Sequence, residues 1–277
     1  MRENINLNRF REFGEVISDT LVVIRQNFAP LIKACIAICG LFIVANVLIS
    51  VAINTTRGES ETFTLLWFTE MLVSVISYTA LLVVTLSYLA VYKEKGNQKP
   101  SVIEVWGYFR YYFFRVFFTQ LLTTIALIIG FFLCIVPFIY LVVVFTLIVP
   151  VMIFENGSIE YSYKKAFKMI KGNWWLVFGI MLLVTILILV CMLVLMLPPM
   201  IIYGGGQWLT GKSLNNTAAL LQAIAINLCQ LLWVVPFISS ALIYFSIIED
   251  KEAGSLINRI KMFGKNIQGN DQISEQY

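Results

Sequence analysis

Four lysines, Lys164, Lys165, Lys168 and Lys171, fall on one side of a short helical pattern, and Arg110 and Arg115 lie inside an aromatic cluster earlier in the chain. Cations in this pattern have one natural chemistry, the holding of phosphate or other anionic groups at a membrane surface. The plainer alternative is that the lysines only fix topology and that the cluster, in which nine of the thirteen residues from Trp106 to Phe118 are aromatic, forms an interfacial belt. A second set of candidates is uncharged: Asn46, Gln120, Asn227 and Gln230 lie deep in apolar runs, where they either hydrogen-bond between helices or line a polar pocket around Asn46 and Asn227. Ionisable groups near the apolar runs are few. Lys33, Glu70 and Glu155 all fall near the ends of expected spans, so no charge is expected at the membrane midplane to drive coupled transport.

Catalysis has little to work with. The chain has no histidine, which removes histidine acid–base chemistry, histidine metal sites and Ser-His-Asp triads. Cys35, Cys39, Cys134, Cys191 and Cys229 all lie in apolar runs and read as small buried hydrophobes. Cys35 and Cys39 share a helix face but have no further ligand nearby, and Gly204-Gly205-Gly206 lacks the lysine and following helix of a phosphate loop. No catalytic residue, metal or cofactor is expected, and without a soluble basic domain neither is nucleic acid.

The elements that must position these residues are membrane spans. Hydrophobic residues make up 59% of the 277 and charged residues 13%, too apolar for a soluble domain of this size. A span needs about 20 apolar residues to cross roughly 30 Å of hydrocarbon, and the uncharged runs supply six, at about 31–53, 64–92, 116–135, 138–154, 174–198 and 217–248. The third and fourth are expected to turn near Pro137, the fifth to end at Pro198 and Pro199, and the sixth to kink at Pro236. The fold class is therefore all-α and polytopic. Eighteen of the twenty Lys and Arg residues fall in the terminal segments or in the loops after even-numbered spans; only Arg57 and Lys212 lie opposite, which places both termini in the cytoplasm. No cleavable signal is expected, because charges run through residues 2 to 25.

Amphipathic helices precede the hairpins. Phe10, Phe13, Ile17, Leu21, Ile24 and Phe28 mark an apolar face over about 9–28. Ser101 with Glu104 forms a capping box before a helix over about 102–114, and Ser158 caps another over about 159–171, whose apolar positions are Ile159, Tyr163, Ala166, Phe167 and Ile170. Ser255 opens a fourth, over about 255–263, before a tail at 265–277. The pattern reads as three repeats of a cytoplasmic interfacial helix followed by a hairpin of two spans, and the text Val136-Pro137-Phe138-Ile139 recurs as Val235-Pro236-Phe237-Ile238.

The segment carrying Pro150, Glu155, Ala166, Phe167, Lys168, Lys171, Gly172, Asn173 and Trp174 resembles a pattern in uncharacterised bacterial six-span proteins, which are similar to the membrane domain preceding the catalytic domain of some glycerophosphodiester phosphodiesterases. The text from Phe13 to Phe28 and from Ile247 to Gly264 looks like versions from the Bacteroidetes group. The resemblance implies an integral inner-membrane protein and does not carry over the phosphodiesterase activity, whose barrel needs histidines and acidic ligands that this chain lacks. Two functions are then expected to compete: a non-enzymatic scaffold or accessory protein that grips anionic lipid or a membrane partner protein, and a small-molecule transporter or lipid-handling protein.

Overall fold

The computed structural model describes residues 7, 9–55, 60–201 and 216–251, and among them every regular element is helical. Helices α1 (Phe13–Thr55) and α2 (Ser60–Glu94) form the first hairpin, α3 (Val102–Leu133) leads through α4 (Ile135–Phe145) into α5 (Ile148–Phe154), and α6 (Ile159–Ile170) precedes α7 (Trp174–Met200). α8 (Asn216–Cys229) continues through a 3₁₀ turn, Gln230–Trp233, into α9 (234–251). Six stretches are long and apolar enough to cross a membrane, so this is an all-α polytopic membrane protein. The expected helix at 255–263, the tail, Arg57, Lys212 and Gly204 to Gly206 lie outside the described residues.

Two expected helix pairs are fused. α1 runs unbroken for 43 residues, about 65 Å at 1.5 Å per residue, joining the helix expected at 9–28 to the first span through Pro30. Its apolar face also points elsewhere. Val16, Thr20, Val23, Asn27 and Leu31 are buried against the protein, while Phe13, Leu21 and Phe28 project outward, where hydrocarbon is as good an apolar partner as a protein core. α3 likewise joins 102–114 to the third span behind the Ser101–Glu104 capping box, in which Ser101 Oγ accepts from the Glu104 N–H at 3.4 Å and Glu104 Oε2 accepts from the Ser101 N–H at 2.8 Å.

The breaks in the later spans share one cause. Pro137, Pro150 and Pro236 are each the third residue of their helix, α4, α5 and α9, in a first turn whose N–H groups have no partner within the helix. A proline four positions on cannot donate to the carbonyls of Leu133, Thr146 and Leu232, and there the chain ends α3, turns between α4 and α5, and tightens to 3₁₀. The hairpin expected to turn at Pro137 therefore turns at the extended Cys134, and the fourth and sixth spans are each built in two pieces. Gly130 lets the turn close: a Cβ there would lie 3.1 Å from Leu141 Cδ1.

The spans alternate between inner and outer positions. The second, fourth and sixth bury 67%, 44% and 72% of their most apolar stretches inside the protein, the first, third and fifth only 22%, 22% and 17%. Three hairpins with one inner and one outer arm each produce this alternation. The inner arms are tied to their neighbours by side-chain hydrogen bonds: Tyr88 Oη to Asn27 Oδ1 at 3.1 Å, Ser77 Oγ to Gln230 Oε1 at 3.1 Å, and the Thr20 and Ser239 hydroxyls at 3.1 Å. Each such bond contributes on the order of 0.6 kcal/mol in a membrane. Cys134 and Cys191 face outward rather than into the core, whereas Cys35, Cys39 and Cys229 are buried.

Candidate functional site

The C-terminal ends of the three inner arms meet. Phe154, the last residue of α5, packs its ring 5.3 Å from that of Tyr244 and 4.6 Å from that of Phe245 on α9, and the Lys93 ammonium of α2 sits 4.5 Å over the Phe245 ring. α6 lies across this junction because Ser158 starts it, its Oγ accepting from the Tyr161 N–H at 3.3 Å, and because Ser162, Ala166, Met169 and Ile170 are buried beneath it. Tyr163 pins it to α3 through the Thr123 hydroxyl at 2.8 Å. At its far end Lys251 of α9 donates to the carbonyls of Lys168 at 3.0 Å and Met169 at 3.4 Å, a cation on the negative end of a helix.

Between α6 and the inner arms is an open cleft of about 780 Å³, lined by Lys93, Phe154, Glu155, Tyr161, Lys164, Lys165, Lys168, Met169, Tyr244, Ile248 and Lys251. Among the described residues, five lysines share it with one carboxylate. Glu155 Oε1 accepts from Tyr244 Oη at 2.6 Å, and Oε2 accepts from Tyr161 Oη at 2.7 Å and Lys165 Nζ at 2.5 Å. Partial burial pushes the Glu155 carboxyl up, but the hydrogen bonds from Lys165, Tyr244 and Tyr161 outweigh it and hold the group below its ordinary range. Burial likewise works against the Lys165 ammonium, and Glu155 and Tyr161 more than restore it, so Lys165 is held above its usual value. Lys164 pairs at 2.5 Å with the exposed Glu160.

Of the expected headgroup residues, Lys164, Lys165 and Lys168 line the cleft, while Arg110, Arg115 and Lys171 lie outside it. Arg115 is committed elsewhere: it donates to Asn156 Oδ1 and Gly157 O, both at 3.2 Å, and stacks near Tyr111 and Tyr112, bracing the turn into α6. Lys93, Lys251, Tyr161 and Tyr244 were missed, although Lys93 and Lys251 end inner arms as Glu155 does. Around the cleft, Pro150 sits in the first turn of α5, Gly172 takes φ +94° at the exit from α6, and Trp174 stacks between Tyr140 at 6.3 Å and Phe178 at 5.0 Å.

Gly157 keeps the turn open, since a Cβ there would lie 2.5 Å from Tyr161 Cδ1. Gly157→Ala is expected to displace the Tyr161 ring from Glu155 and to lower stability by about 1 kcal/mol. Thermal unfolding in detergent checks it, and the same change in a Tyr161→Ala background should cost less, the remainder coming from Ser162 Oγ, 3.2 Å from the added Cβ.

The uncharged candidates bond to different partners, and Ser74 is common to the surroundings of all four. Asn46 accepts from Ser74 Oγ at 3.2 Å, Gln230 from Ser77 Oγ, and Asn227 donates to Ala223 O of its own helix at 2.8 Å. Asn227 and Gln230 line a groove of about 330 Å³ with Ser74, and Gln120 lines another, of about 420 Å³, that also reaches Ser74. Glu70, one turn from Ser74 on α2, accepts from Ser50. Among the described residues no three His, Cys, Asp or Glu side chains gather as a metal site would require. Compared with known proteins, the chain matches no family model, no curated protein and no solved structure.

Proposed function

We propose that this integral membrane protein is a non-enzymatic scaffold or accessory protein that holds anionic lipid headgroups in the lysine-lined cleft. The reading is carried by one observation, five lysines from three elements around a cleft at the ends of the inner spans. Lysine ammoniums near an anionic surface contribute about 1 kcal/mol each, and the positive-inside pattern favours the cytoplasmic leaflet of a bacterial inner membrane. A partner protein with an acidic juxtamembrane segment would use the same charges. The resemblance to six-span bacterial proteins fits this setting.

The test is Lys93→Gln, Lys164→Gln and Lys168→Gln combined, with Lys165 and Lys251 left in their structural roles. Binding to nanodiscs of phosphatidylglycerol over those of phosphatidylcholine is expected to fall about a hundredfold at low salt, from three lysines at about 1 kcal/mol each. An unchanged preference, with membrane insertion intact, contradicts the reading. A transport or lipid-handling role draws instead on the two grooves beside Ser74, and uptake of a solute into liposomes by the protein alone would favour it.

A further inference from the structure

The broken sixth span frames a second site. Pro236 sets the 3₁₀ turn Gln230–Trp233 within that span, and both end residues of the turn line the groove of about 330 Å³ between α2, α7 and α8. Ser74, Met192, Met196 and Asn227 line it with them. Ser74 lies about 28 Å along α2 from Lys93 at 1.5 Å per residue, so this groove is separate from the lysine cleft. Ile226 is exposed at its rim, which opens it sideways to the hydrocarbon.

The polar capacity around this groove exceeds what the protein uses. Asn227 is only 8% exposed, and its Nδ2 donates to Ala223 O at 2.8 Å, which leaves Oδ1 as an acceptor with no hydrogen bond among the described residues. Gln230 Oε1 accepts from Ser77 Oγ, and its Nε2 is a donor likewise without a partner among them. Behind Ser74, whose hydroxyl goes to Asn46 Oδ1 at 3.2 Å, the buried Asn46 Nδ2 has no partner either. In hydrocarbon, where water does not compete, such groups are costly until a bound molecule supplies their partners. No lining residue is charged, so a phosphate would enter without a counter-charge.

We infer that the groove binds the head of an uncharged lipid alcohol, a hydroxyl on an apolar chain. A hydroxyl meets both open positions with one oxygen, donating its proton to Asn227 Oδ1 and accepting from Gln230 Nε2. An ester or ketone can only accept. The volume is near the low end of roughly 300–1,000 Å³ for small-molecule sites, which suits a head and the start of a chain whose remainder lies in the bilayer. Met192 and Met196 supply a wall that adapts to the chain.

The alcohol can belong to a glycerolipid or to an isoprenoid, and the experiment separates the two. Full-length protein in phosphatidylcholine nanodiscs is labelled with a dioleoylglycerol carrying a diazirine in one chain, and the labelled residues are mapped. Labelling is expected on α7 and α8 around the groove. Unlabelled dioleoylglycerol should displace the probe about tenfold better than its acetyl ester does, the worth of one donated hydrogen bond. Asn227→Leu should bring the two competitors to parity with the unfolding midpoint unchanged, and the comparison of alcohol with ester in the wild-type protein needs no variant. Farnesol that displaces the probe equally well extends the class to isoprenoid alcohols, and farnesol that fails restricts it to glycerolipids; either result supports the site. Equal displacement by the ester or by phosphatidic acid, or labelling spread evenly over the lipid-facing helices, overturns it. These outcomes leave the lysine cleft untouched, since its preference for phosphatidylglycerol is read separately.

Discussion

Arg11→Ala is expected to lower the stability of the bundle by about 3 kcal/mol, the lower end of what removing one partner of a buried ion pair costs, because Asp19 keeps some solvent contact. The Arg11 side chain is fully buried. Its Nε donates to Asp19 Oδ2 at 2.7 Å and its Nη1 to the carbonyls of Leu7 at 2.9 Å and Arg9 at 3.0 Å. Its backbone is stitched to α9, since the Arg11 N–H donates to Ser246 Oγ at 2.9 Å and Ser246 Oγ donates to the Arg11 carbonyl at 3.2 Å. Arg11→Lys keeps the charge but not the fork and should fall between wild type and alanine. Adding Asp19→Asn to Arg11→Ala should recover part of the loss. Unfolding in a mixed-micelle titration reads all three, and a loss below about 1 kcal/mol for Arg11→Ala would mean that the pair is not holding the segment before α1 in place.

The second large effect is at Glu155. Glu155→Ala leaves Lys165, Tyr161 and Tyr244 without their acceptor and unties α5 from α6 and α9, at a cost of about 2–3 kcal/mol. Glu155→Gln keeps an acceptor but loses the charge assistance, so its loss is smaller. The pH dependence has a definite sign. Because the folded carboxyl titrates below the ordinary value of 4.5, its stabilisation is complete above that pH and is lost as pH falls through the lower folded value. The stability gap between wild type and Glu155→Gln should therefore be constant near neutrality and shrink in acid. Lys165, held above 10.5, contributes in the opposite sense, its share being lost only as pH rises through that higher value. A gap that widens in acid would show that Glu155 titrates above its ordinary value and is not the anion Lys165 and the tyrosines hold.

The features legible in the sequence were those fixed locally or by the bilayer. Six apolar runs announce six spans because each must cross the same thickness of hydrocarbon, and Ser101 and Ser158 announce α3 and α6 because a cap needs only the next three residues. Which spans lie inside was not legible from hydropathy, since lipid and core are equally apolar. The usable signal was a different one: Ser77, Thr79, Thr85 and Ser87 on α2 and Ser239, Ser240 and Ser246 on α9 are all buried, small hydroxyl residues that let inner helices approach, and Ser77, Ser239 and Ser246 also bond to other segments. The positions of the breaks were obscured because a proline disturbs the carbonyl four residues before it, so Pro137 pointed to the wrong residue. At the cleft, the α6 lysines were visible as a helical face, but Lys93 and Lys251 belong to arms far apart in the chain and join them through tertiary contacts, the packing of Phe154 on Phe245 and the bonds from Lys251 to the Lys168 and Met169 carbonyls. Arg110 and Lys171 share the local charge pattern of the cleft lysines and still lie outside it, because proximity in sequence does not set the direction in which a side chain leaves its helix.

The most direct measurement of the headgroup account is a cryo-EM structure of the full-length protein in nanodiscs containing anionic lipid. Phosphate density is expected in the cleft within hydrogen-bond reach of at least two of Lys93, Lys164, Lys168 and Lys251. A cleft that holds solvent alone or a polypeptide segment, with ordered headgroups only elsewhere on the protein, would contradict it.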